Sequence, residues 1–155
     1  MTYAPIASRH TTQLHQLREL NSSPPPTTIS EARKVTRLQA AILRAMVVQE
    51  SEMRVDDIAR IVDFDSTVVP DLPVPGIAFQ LSGRWQVHLS ASLRPAERLQ
   101  WVLHELKHVI DHPLRRGEAH SAGLNDADYE DQADLFADLV MNPSRKEDHD
   151  DPHTV

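Results

Sequence analysis

Between Pro95 and His112, apolar residues recur at helical spacing. Leu99, Val102, Leu103, Leu106, Val109 and Ile110 form one clean stripe. Pro95 suits the first turn of such a helix, and Pro113 suggests an end near His112-Pro113. His104 and His108 lie opposite the stripe, with Trp101 and His112 beside them. The helix therefore offers one face to a core and another to a cleft. A merely solvated face would carry Lys and Glu in place of His and Trp. The rest of the chain must cover the stripe and leave the histidine face reachable.

Residues four apart on a helix lie one above the other. Two imidazoles at that spacing can converge on one ion at about 2.0–2.1 Å. Glu105 stands about 100° around the helix from His104, so it reaches a metal-bound water and not the metal. His104-Glu105-Leu106-Lys107-His108 thus has the spacing of two ligands and a base. The chain contains no Cys, so its metal ligands must be nitrogen and oxygen.

An open catalytic site needs a third protein ligand. His112 does not supply it, because it lies two turns beyond His104, about 12 Å along one rigid axis. An extended pattern with Gly and His further along also fails, since Asp111 and Leu114 stand in those places. Two candidates remain. Glu130 opens a helical stretch in which Asp134 shares its face, from where Asp134 could orient a ligating imidazole. His120 competes from the intervening loop. Glu130 is preferred, because the Glu130–Asp134 pair supplies a ligand and its support together.

The 155 residues suffice for one ordinary domain, and 40% of them are hydrophobic. Residues 1–27 read as an arm and linker: a short helix within Arg9–Leu20, then Pro24-Pro25-Pro26, which cannot sit inside a helix. Thr28 and Glu31 suggest a capping box for a helix reaching about Glu50. Val55, Ile58, Ala59 and Val62 mark another. Ile77, Phe79 and Leu81 alternate, Ser82-Gly83-Arg84 turns, and Trp85, Val87 and Leu89 alternate again, as in a hairpin. A loop over Leu114–Asn125 precedes a last helix ending at Asn142-Pro143. The expectation is an α+β domain over residues 28–144, with a short antiparallel sheet. An acidic, disordered tail over 145–155 follows.

The formal net charge is −7, which argues against direct binding to nucleic acid or an anionic membrane. Met1–Leu20 lacks the apolar core of a secretory signal, and no apolar run approaches the length of a membrane span. A cytoplasmic location is expected.

Here the sequence resembles the ImmA/IrrE-type metallopeptidase family. The resemblance rests on His104-Glu105-Leu106-Lys107-His108-Val109-Ile110-Asp111-His112. It continues in Tyr129-Glu130-Asp131-Gln132-Ala133-Asp134-Leu135-Phe136-Ala137 and in Leu139-Val140-Met141-Asn142-Pro143. It covers roughly Val55 to Pro143. There are two departures. Lys107 replaces the usual Gly, which suggests a bulky cation near the cleft, and Asn142 separates Met141 from Pro143.

The resemblance implies a small zincin-like domain with Zn²⁺ on His104, His108 and Glu130, and Glu105 as general base. It also implies a peptidase of bacteria, phages or mobile elements that cleaves a helix-turn-helix repressor. The Trp85–Ser90 strand is expected to pair with an extended substrate by edge addition. His120 and Tyr129 are candidate oxyanion donors, although Tyr129 reads more readily as a core residue. The competing readings are a metal-containing anti-repressor that only sequesters its partner, and a metallohydrolase acting on something other than peptide.

Overall fold

A computed structural model describes residues 13–21, 24–47, 53–115 and 123–143. Among these residues lie five helices and one three-stranded sheet. The elements in order are α1 (residues 13–19), α2 (Ile29–Met46), α3 (Val55–Val62), β1 (Asp65–Val69), β2 (Gly76–Leu81), β3 (Arg84–Ser90), α4 (Pro95–Arg115) and α5 (Asp126–Met141). The α+β class matches the sequence reading. His120, the tail over 145–155 and the end of the helix expected at Glu50 fall outside the described residues.

The sheet is mixed, and this corrects the antiparallel expectation. Its order is β1-β3-β2, with β1 parallel and β2 antiparallel to β3. The hairpin forms as read. Ser82 and Gly83 both take positive φ, 53° and 79°, the two-residue turn whose twist suits a tight hairpin. β1 has no counterpart in the sequence reading. It is a five-residue edge strand with no regular alternation of exposure, so it carries no period-two signal. Its presence makes β3 the central strand. Both edges of β3 are taken, so Trp85–Ser90 cannot add a substrate strand. The edge on the hairpin side is β2.

Local signals explain the helix ends. Thr28 accepts the Glu31 N–H at 3.1 Å, while the Glu31 carboxylate takes the Thr27 N–H at 2.8 Å, one residue before the expected partner. Asn125 and Asp128 cap α5 reciprocally at 2.9 Å.

α4 is the centre of the molecule. It packs against β2 and β3 on one side and α5 on another, and α5 in turn packs on α2. Every residue from Val102 to Lys107 is buried. The helix is therefore enclosed more completely than its amphipathic stripe implies, and the histidine face lies beneath α5.

α4 also runs through Pro113 to Arg115, beyond the expected end. A proline in a helix removes the bond that its N–H would make to the carbonyl four residues earlier. That carbonyl belongs to Val109, and the Arg18 guanidinium of α1 donates to it at 2.6 Å. Leu114 continues the apolar stripe and is buried. Residues 13–21 thus bind the body closely: Leu17 is fully buried and its carbonyl accepts from the Gln39 side chain at 2.8 Å.

Lys107 is not in the cleft. The residue is 2% exposed, and its Nζ donates to Gln39 Oε1 and to Asp111 Oδ1, each at 2.8 Å. Asp111 Oδ1 also accepts from Asn21 at 2.9 Å. Lys107 lies about 100° around the helix from His108, so it points towards α1 and α2.

Removing Arg18 leaves a buried carbonyl unpaired. Arg18→Ala should cost about 1–3 kcal/mol of stability. In a Pro113→Ala background the helix regains its own donor, so the same change should cost markedly less. Denaturant melts of the four proteins form a double-mutant cycle. Equal costs in both backgrounds would disprove the compensation.

Candidate metal centre

α4 and α5 bring the anticipated ligands to one point. His104 Nε2 is 3.2 Å from His108 Nε2 and 3.1 Å from Glu130 Oε1, and His108 Nε2 is 3.0 Å from Glu130 Oε2. His104, His108 and Glu130 form a group able to hold a metal ion. His104 is buried, His108 half-buried and Glu130 exposed. The helix supplies the two imidazoles one turn apart, and α5 supplies the carboxylate across the interface.

The chemistry of this donor set fits a metal. Asp134 Oδ1 lies 2.9 Å from His104 Nδ1, and a carboxylate can only accept there. Nδ1–H serves that bond, which leaves Nε2 to face the point of convergence. There it meets the Glu130 carboxylate, which has only lone pairs to offer. A metal cation between them, or a proton on Nε2, satisfies both. Four-coordinate zinc with bonds of about 2.0–2.1 Å holds neighbouring ligand atoms about 3.3 Å apart. The observed separations of 3.0–3.2 Å come close to that. Asp134 takes the supporting position read for it from the sequence.

Glu105 stands beside the ligand set without joining it. Its Oε2 is 4.0 Å from His104 Nε2, and the residue is 8% exposed. Burial pushes its carboxyl above the ordinary carboxylate range. The His104 ring opposes this rise, Glu130 adds to it, and the Ala78 backbone N–H and Arg115 oppose it. Burial likewise lowers His108; Glu130 opposes this, while His104 and Arg115 reinforce it. A half-buried imidazole that resists protonation suits a metal ligand.

These residues line a cavity of about 580 Å³. β2 forms one wall through Gly76, Ile77 and Ala78. A Cβ at Gly76 would meet Glu105 Cγ at 3.4 Å, so the glycine lets the strand approach the carboxylate closely. Trp101 lies against His104 with ring centroids 4.7 Å apart, and Trp85 meets His112 edge-on at 5.1 Å. His112 lines the cavity but is not part of the ligand group. Tyr129 is a core residue, 4% exposed.

The sequence reading missed Arg115, which also lines the cavity. It lies seven residues after His108, two turns along the same face. Ending the helix at Pro113 hid it. The continued apolar period at Leu114 was the available signal.

Comparison with known protein families, with curated proteins and with solved structures returned no match. No helix among the described residues is long and apolar enough to cross a membrane.

Asp134→Ala should lower metal affinity roughly 10- to 100-fold by releasing the His104 ring. Metal titration of the variant checks this; unchanged affinity would remove Asp134 from the site.

Glu105 gives a pH test. Its raised folded value means that, above 4.5, the folded chain keeps a proton the unfolded chain has lost. Stability therefore falls as pH rises through that window. Metal-free Glu105→Gln should melt higher than the parent at pH 7, with the gain vanishing below 4.5. A gain independent of pH would rule out buried charge as its source.

Proposed function

We propose that this chain is a zinc-dependent metallopeptidase. The observation that carries the reading is the convergence of His104, His108 and Glu130, with their ligand atoms 3.0–3.2 Å apart, beside the buried Glu105 carboxylate. Two imidazoles and one carboxylate are a donor set that zinc accepts while keeping a position open. A structural site has no use for a neighbouring base.

When bound, zinc would polarise the scissile carbonyl and acidify a water. Glu105 takes the proton of the attacking water and passes it to the leaving amine. Its elevated pKa brings it nearer that of the groups it exchanges protons with. Asp134 holds the His104 ring in one tautomer throughout. β2 is the strand suited to align an extended peptide. It is a sheet edge, and the Ala78 N–H is directed at Glu105, away from the hairpin partner.

The resemblance to the ImmA/IrrE-type family adds a zincin-like fold and a helix-turn-helix repressor as substrate. The net charge of −7 suits a protease acting on a DNA-binding protein better than a DNA-binding protein itself.

The test is cleavage of a candidate repressor by zinc-loaded protein, with and without chelator. Glu105→Gln should retain zinc and lose at least a hundredfold in rate. Cleavage that survives both treatments would rule the mechanism out. A repressor left intact, yet silenced equally by wild type and Glu105→Gln, would establish sequestration in its place.

A further inference from the structure

Arg115 is the only Lys or Arg among the described residues lining the cavity. Its guanidinium is held by three weak contacts. Nη2 donates to Asp126 Oδ1 at 3.1 Å, Nη1 lies 3.3 Å from His108 Nδ1, and Cζ stands 5.2 Å from the Tyr129 ring centroid. The Arg115 side chain is 31% exposed and that of Asp126 is 91% exposed. An ion pair in such contact with water contributes little and exchanges readily.

The position relative to the ligands is informative. His108 turns Nε2 to the ligand set, and Arg115 sits beyond Nδ1, on the far side of the ring. The guanidinium therefore reaches an acceptor beside the point of convergence and not at it. Metal ligation through Nε2 would also place the His108 proton on Nδ1. Two donors would then face each other, and Nη1 would lose its acceptor. Loading the site thus frees one arm of the fork, while the other arm holds an exposed carboxylate.

A guanidinium fork matches a carboxylate in two parallel hydrogen bonds, which distinguishes it from a lysine or an amide donor. Of the other carboxylates lining the cavity, Glu130 belongs to the group able to hold a metal and Glu105 is buried beside it.

We propose that Arg115 is a specificity-determining residue that binds a substrate carboxylate next to the scissile bond, displacing Asp126. The proposal rests on the metallopeptidase reading. The carboxylate could be an acidic side chain or a chain terminus.

The experiment uses zinc-loaded protein and four short peptides, each ending its zinc-binding side in a hydroxamate. One pair carries Asp or Asn beside the hydroxamate, and the other carries a free or amidated terminus. Calorimetry gives Kd, and elemental analysis gives zinc content. Wild type should favour one carboxylate peptide over its neutral twin by roughly 10- to 100-fold, and the favoured pair identifies the source. Arg115→Met should keep zinc and bind both twins alike. Asp126→Asn should bind the favoured peptide more tightly, because the competing acid is gone. Equal binding of the twins by wild type, or a preference that survives Arg115→Met, overturns the inference while hydroxamate binding itself leaves the metal reading standing. If zinc-loaded wild type binds no hydroxamate, the metallopeptidase reading fails and takes this inference with it.

Discussion

A helix buried on nearly every side must find a partner for each polar group it carries. α4 is such a helix, and the arrangement around it follows from that demand. It bears two polar clusters on different faces. His104, Glu105 and His108 turn towards α5 and β2. Lys107 and Asp111 turn towards α1 and α2. The second cluster resolves itself within the protein: the ammonium and carboxylate pair with each other and with Gln39 and Asn21. Replacing any one member would leave a buried charge short of a partner, which is costly at this depth. The same demand explains α1. Pro113 orphans the Val109 carbonyl in the interior, and Arg18 reaches in to pair with it.

The first cluster gathers its polar groups at a cavity wall. Glu130 and the Nε2 atoms of His104 and His108 meet at one point, and Glu105 is desolvated beside them. A buried carboxylate against two imidazoles departs from the rules that hold elsewhere in the molecule, and such departures concentrate at functional sites. A cation bound at the point of convergence would add its binding energy to folding. Glu105 would still gain no ligand bond. The His104 ring and the Ala78 N–H offset its burial only in part, as suits a proton-transfer group.

The meeting of His104, His108 and Glu130 was legible because a helix converts sequence spacing into spatial placement. His104 and His108 needed only a period of 3.6, and Glu130 with Asp134 needed only the same argument on a second helix. The hairpin was legible from alternation and from Ser82-Gly83. Three features depend on contacts distant in sequence and were not. β1 exists because β3 offers an edge, and its own five residues show no alternation. α4 continues past Pro113 because Arg18, ninety-one residues away along the chain, repairs the lost bond. Lys107 lies inside because Gln39 and Asp111 wait for it, whereas composition alone places a lysine in solvent. The second of these carried Arg115 out of sight, since it joins the cavity only if the helix survives the proline.

The geometry of the centre consequently depends on packing between helices more than on any loop. The imidazoles are fixed to α4, but the carboxylate that meets them is an exposed glutamate on α5. Its placement is only as good as the docking of α5. That docking is made by small and large residues in alternation: Ala133, Phe136, Ala137 and Val140 are all fully buried. The buried Thr36–Gln132 hydrogen bond at 2.7 Å fixes the opposite side of α5 to α2. A shift of α5 by one turn, about 5.4 Å, would exchange Glu130 for Asp126 or Asp134, neither of which has the same reach. Such a slide would exchange Tyr129 with Ala133 and Phe136 with Val140, all of them buried, and the resulting clash or void is what interiors do not tolerate. The register of the α4–α5 interface, set by apolar side chains that take no part in chemistry, is therefore what selects Glu130 from a helix rich in carboxylates.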